Sequence, residues 1–115
     1  MVAAETLASG DFVNMFDASG VTKVRKADAT DSGKRAHGFV KVGATSGQSV
    51  DVYLDGANNA LTGLTGGTRY YLSAATPGAA TAIMPSASGN LVQYLGTAMS
   101  ATAIAFRPTD GTVLA

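Results

Sequence analysis

The sequence predicts an all-β fold, a compact antiparallel sandwich or barrel of about eight short strands. Three observations carry that expectation. β-prone runs recur at spacings of about 8 to 15 residues. The gaps between them are filled with Gly, Pro, Asn, Asp and Ser, the residues that turns need. Nowhere does an apolar stripe repeat with helical period.

Taken in order, Met1–Ser9 precedes the first clear strand and reads as a free arm or an edge strand. The expected organisation is therefore an arm over residues 1–9 and one β-domain over residues 10–115. Asp11–Phe16 is the first strand, and Asp17-Ala-Ser-Gly20 carries the Asp-first, Gly-last preference of a type I turn. Val21–Ala27 follows with Lys23 and Arg25 on one face, a mixed pattern suited to an edge. After a polar loop from Asp28 to Lys34, Ala36–Gly43 is the next strand. Ser49–Asp55 alternates most cleanly of all, with Val50, Val52 and Leu54 on one side and Ser49, Asp51, Tyr53 and Asp55 on the other.

Gly56–Gly67 reads as a long connection with at most a helical turn near Asp55–Leu64. Thr68–Ser73 resumes β character, and its adjacent tyrosines must face opposite ways, one outward and one into the core. Thr81–Met84 is a brief strand ended by Pro85. Asn90–Met99 and Thr102–Phe106 close the chain as a hairpin with its link at Ser100-Ala101.

Composition excludes several classes. Eight basic and eight acidic residues cancel, so a nucleic-acid binder would need a strong local patch. There is no Cys, hence no disulfide framework or thiolate zinc site. No apolar run is long enough for a transmembrane helix, and no basic-then-apolar secretory signal is seen at the start. Ala, Gly, Thr and Ser fill about half of the chain.

The placement of charge is more informative. Six of the eight basic residues (Lys23, Arg25, Lys26, Lys34, Arg35 and Lys41) lie in one early stretch, and the 37 residues from Tyr70 to Phe106 carry no charge. An uncharged surface of that extent favours contact with another protein; the plainer reading is solubility through hydroxyls and amides alone. The basic stretch is either a solvated edge or a dock for an acidic protein surface. Single-strand binding would need aromatic platforms among the cations, and none occurs before Phe39.

Chemistry has few groups to use. His37 is the sole histidine, so no two-His metal motif exists. Asp51 and Asp55 share a strand face but stand roughly 13 Å apart, beyond the roughly 5–9.5 Å of paired glycosidase carboxylates. Asp28–Gly33 lacks the third acid and terminal Glu of a calcium loop and reads as a self-bonded Asx turn. Gly63–Gly67 lacks the Lys-Ser/Thr of a phosphate loop. No catalytic residue, metal or cofactor is expected. Tyr70 or Tyr71 keeps a carbohydrate-binding module open as an alternative.

Five segments carry a family resemblance: Ala8–Asn14, Val24–Ala29, Lys34–Val40, Gly63–Ser73 and Leu91–Ala98, which together span most of residues 7–108. In this set the chain resembles small virion proteins of tailed bacteriophages, the head decoration (cement) and fibre-associated β-domains. The resemblance implies a non-enzymatic structural protein that forms homotrimers, binds the assembled major capsid protein lattice and stabilises the head. It implies synthesis in a bacterial host and residence on the capsid exterior, with neither nucleic acid nor membrane as partner. A tail-fibre or tailspike module is the alternative within the same family. On this reading Tyr70, Tyr71, Leu91, Val92, Tyr94, Leu95, Ile104 and Phe106 are candidates for core or subunit interface. Met1, Val2, Glu5 and Leu7 of the arm, with Lys23, Arg25, Lys26, Lys34 and Arg35, are candidates for capsid docking.

Overall fold

Strand alternation sends neighbouring side chains to opposite sides, and in this protein both sides of the first sheet find a core. The computed structural model describes residues 1–115, with eleven short strands and one 3-10 turn at Ser32–Lys34. The first sheet joins β1 (Val2–Ala3), β3 (Val21–Lys26), β2 (Phe12–Ala18) and β4 (Gly38–Phe39) in that spatial order, with β1 parallel to β3. Val13 and Val24 point to one side, where they pack with Ala3, Leu7, Val40 and Val50. Phe12 and Phe39 join a different core on the other side.

The β2–β3 hairpin turns through Ser19 and Gly20 alone, at φ 54° and 88°. Two successive positive φ values are the primed type I geometry, which matches strand twist; the type I turn expected over Asp17–Gly20 is not formed.

The cleanly alternating run Ser49–Asp55 is not a regular strand. Val50 exchanges hydrogen bonds with Met1 (2.7 and 3.1 Å), and Tyr53 exchanges two of 2.9 Å with Phe39. One end of the run therefore pairs beside β1 and the other beside β4, the two edges of the sheet. The segment closes that sheet into a small barrel, and no single neighbour gets consecutive rungs. Val50 and Val52 do face inward, but Leu54 is 56% exposed because the chain turns away there.

Of the two expectations for residues 1–9, the edge strand is formed and the free arm is corrected. Residues 1–9 lie in the barrel wall: Val2 and Ala3 form β1, and Ala3 and Leu7 are buried. The driving force is apolar burial combined with backbone pairing, including Leu7 N–H to the Ala44 carbonyl at 2.8 Å.

The second sheet runs β5 (Gly56–Asn58), β10 (Ile104–Phe106), β9 (Tyr94–Ala98), β6 (Arg69–Leu72) and β7 (Ala80–Thr81), antiparallel throughout. A two-stranded ribbon of β8 (Leu91–Val92) and β11 (Thr112–Val113) flanks it. The closing β9–β10 hairpin is present as expected, whereas β5 replaces the helical turn suggested near Asp55–Leu64. Pairing slips between Tyr70 and Tyr71, which face Gly96 and Tyr94. A Cβ at Gly96 would collide with the Ala105 carbonyl oxygen, so this bulge demands glycine.

Between the two sheets lies the larger core, with Tyr70, Leu72, Leu91, Leu95, Ile104 and Phe106 against Phe12 and Phe39. Phe106 stacks on Phe12 at 5.7 Å and meets Phe39 edge-on at 5.3 Å, so one ring from the second sheet locks two from the first. Two buried amides cross the same boundary. Asn58 Nδ2 donates to the Gly10 carbonyl at 2.9 Å. Gln93 Oε1 accepts from Ala36 N–H at 2.7 Å, while its Nε2 donates to the carbonyls of Ala36 and Thr109, both at 2.9 Å. No buried side-chain polar atom lacks a partner.

Candidate interaction surfaces

The residues expected at a core or interface separate by strand parity. Tyr70, Leu91, Leu95, Ile104 and Phe106 are buried within the single chain, leaving nothing of them for a partner. Tyr71, Val92 and Tyr94 are half-buried. Tyr70 and Tyr71 do point opposite ways, and Tyr70 Oη accepts a hydrogen bond from Thr65 N–H.

Cross-strand partners share a face, so the outward side of the second sheet can be written down from its register. It presents Ala57, Ala105, Thr97, Tyr71, Tyr94 and Thr81, with Arg69 as its sole charge. Tyr71 and Tyr94 meet edge-to-face at 6.0 Å, and Tyr94 Oη lies 2.7 Å from Thr97 Oγ1. The Arg69 guanidinium sits 5.4 Å from the Tyr94 ring centre. Beyond β7 the loop exposes Ile83 and Met84, which sequence reading assigned to a strand.

The proposed docking set is dispersed by the fold. Leu7 is 3% exposed and belongs to the barrel interior, which corrects its assignment to docking. Val2 is half-buried in β1, and the Met1 ammonium donates to the Val50 carbonyl. Glu5 is exposed and accepts from Lys26 N–H at 3.1 Å. Lys41 lies over the Tyr53 ring at 4.7 Å, beside a groove of about 320 Å³ lined by Met1, Val42, Ser49 and Asp51. Lys34 ends the 3-10 turn that the Asp31 side chain caps.

Lys23 and Arg25 share one side of β3, and Arg25 is tied to the Arg35 backbone through a residue that sequence reading missed. Asn14, 1% exposed, accepts from Arg25 Nε at 3.0 Å and donates through Nδ2 to the Arg35 carbonyl at 2.8 Å. The Arg25 guanidinium lies 4.2 Å over the Phe16 ring, and Lys23 pairs with Phe16 across the hairpin. His37 Nδ1 accepts from Met15 N–H at 2.9 Å, which requires the neutral ring with its proton on Nε2. Burial, then the adjacent Arg35 charge, hold His37 below the usual histidine pKa. This histidine therefore serves the barrel wall. The one signal available in the sequence was parity, which puts Asn14 and Phe16 on the same side as Lys23 and Arg25.

In the Asp28–Gly33 loop the carboxylates bond locally, Asp28 to Thr30 and Asp31 to Gly33, as Asx turns do. No group of three or more His, Cys, Asp or Glu side chains converges as a metal site, and no helix is long and apolar enough to cross a membrane. Comparison with protein-family models, curated proteins and solved structures finds no match to this chain.

Proposed function

We propose that this chain is a capsid decoration protein of a tailed bacteriophage, a homotrimer that binds the major capsid protein lattice from outside and stabilises the head. The observation that carries the reading is the outward face of the second sheet, an array of Ala, Thr and Tyr side chains with Arg69 as its one charge. A face of this kind gains by being covered with a copy of itself or a neighbouring subunit. The resemblance across residues 7–108 supplies the rest. Symmetry then multiplies individually weak lattice contacts into tight attachment.

Light scattering tests the assembly: three chains per particle are expected. Tyr71→Glu, which places a carboxylate on the outward face and spares the core, is expected to give folded monomer by circular dichroism. Purified heads mixed with labelled protein test the location by electron microscopy. Label on tails alone would replace decoration by the tail-fibre reading, and a monomeric wild type that ignores capsids would overturn both.

A further inference from the structure

We infer that Arg25 is a pre-set receptor for a carboxylate on a protein partner, held open by Asn14 and Phe16, with Lys23 on the same side of its strand. Arginines half-sunk in a surface are commonly neutralised by a nearby acid. Arg25 instead spends its Nε on the amide oxygen of Asn14, which adds a hydrogen bond and no negative charge. Asn14 is itself fixed at its other end by the Arg35 carbonyl, with His37 Nδ1 at 3.4 Å from Nδ2. The Phe16 ring supports the guanidinium plane from below.

Those contacts use the side edge and one face of the guanidinium. The Nη1 and Nη2 end makes no hydrogen bond within the chain, and it is the end that meets a carboxylate with two parallel N–H···O bonds. Lys23 lies two residues before Arg25, on the same side of β3. Arg35 meets Asn14 through its backbone carbonyl, and its own guanidinium is anchored by Nη1 to the Asp110 carbonyl. Side-chain entropy is thus lost in folding and not again in docking. A protein carboxylate fits better than a polyphosphate, because the whole chain is neutral and this side of β3 carries only Lys23 and Arg25.

This deepens the docking half of the proposed function, yet its test needs no capsid. Oligoglutamate peptide is titrated into ¹⁵N-labelled protein, watching the Arg25 Nε–H and the Asn14 side-chain amide, with a short oligodeoxynucleotide as the comparison. The expected result is saturable shifts at those two groups and weaker binding of the DNA. Arg25→Lys keeps the charge but loses the planar fork, and is expected to weaken peptide binding roughly tenfold. Lys41→Ala removes one positive charge elsewhere and is expected to leave it unchanged. Unshifted signals in the wild type, equal binding by Arg25→Lys, or tighter binding of the DNA would each overturn the inference. Trimer formation and head labelling would stand or fall separately.

Discussion

The barrel of residues 1–53 holds twelve of the sixteen charged side chains, and the sheet and ribbon that follow hold four. Their cores differ as well. The barrel interior is aliphatic, filled by Val, Leu and Ala, while the layer between the sheets is lined with Phe and Tyr rings. Both contrasts have one cause. Closing the first sheet buries its inner face on itself, and the second sheet covers only the Phe12–Phe39 end of the other, so the rest of that face, with the rims and corners, is left to carry charge. The second sheet has only one face covered by its own chain. Its outward face is either wetted through the Thr and Tyr hydroxyls or covered by a partner, as the proposed trimer would do.

The strongest way to break the contrast is to cut the joint between the halves. Phe106→Ala removes the ring that meets both Phe12 and Phe39, with an expected loss of about 4 kcal/mol in denaturant unfolding. If the halves depend on each other, barrel and sheet amides lose hydrogen-exchange protection together; barrel amides that stayed protected would make it an independent unit. Gln93→Leu keeps the bulk but strands the Ala36 N–H and two carbonyls, at an expected cost of about 3 kcal/mol by the same measurement.

The smallest effect concerns the barrel alone. His37 has a lowered folded pKa, so below its unfolded value of 6.5 the unfolded chain binds the extra proton. Stability is full above that value and falls as pH drops toward the folded pKa. The expected outcome is a shallow loss of stability on mild acidification, absent in a His37→Asn variant. Asp11 has the opposite sign. Its pKa is raised by burial, against the pull of Ala8 N–H, so its ionisation costs stability as pH rises through the carboxylate range. The two windows do not overlap in cause, and the variant separates them.

Much of the fold was legible. The β2–β3 pair, the outward and inward tyrosines and the closing hairpin follow from period-two patterns and turn residues near in sequence. Leu7 and Ser49–Tyr53 were not legible in the same way. Each depends on a partner outside its own strand and turn: Leu7 on Ala44, Val50 on Met1 and Tyr53 on Phe39. The basic stretch shows the limit most plainly, because one run of sequence became four environments: the Tyr53 groove at Lys41, the Glu5 contact at the Lys26 backbone, the 3-10 turn at Lys34 and the Asn14-centred contacts.

By itself, then, the sequence determined that this protein is built of strands, where most of them turn, and that a long stretch without charge follows an early basic one. Alternation states which side of a strand is apolar, since that is a local property of the chain. It does not state what will cover that side. Only the tertiary structure decided that the first sheet closes on itself through Met1 and Val50, that Leu7 goes inside, and that Asn14 joins Arg25 to Arg35. Those outcomes rest on pairings between distant residues, selected by the burial and hydrogen bonding of the whole molecule at once.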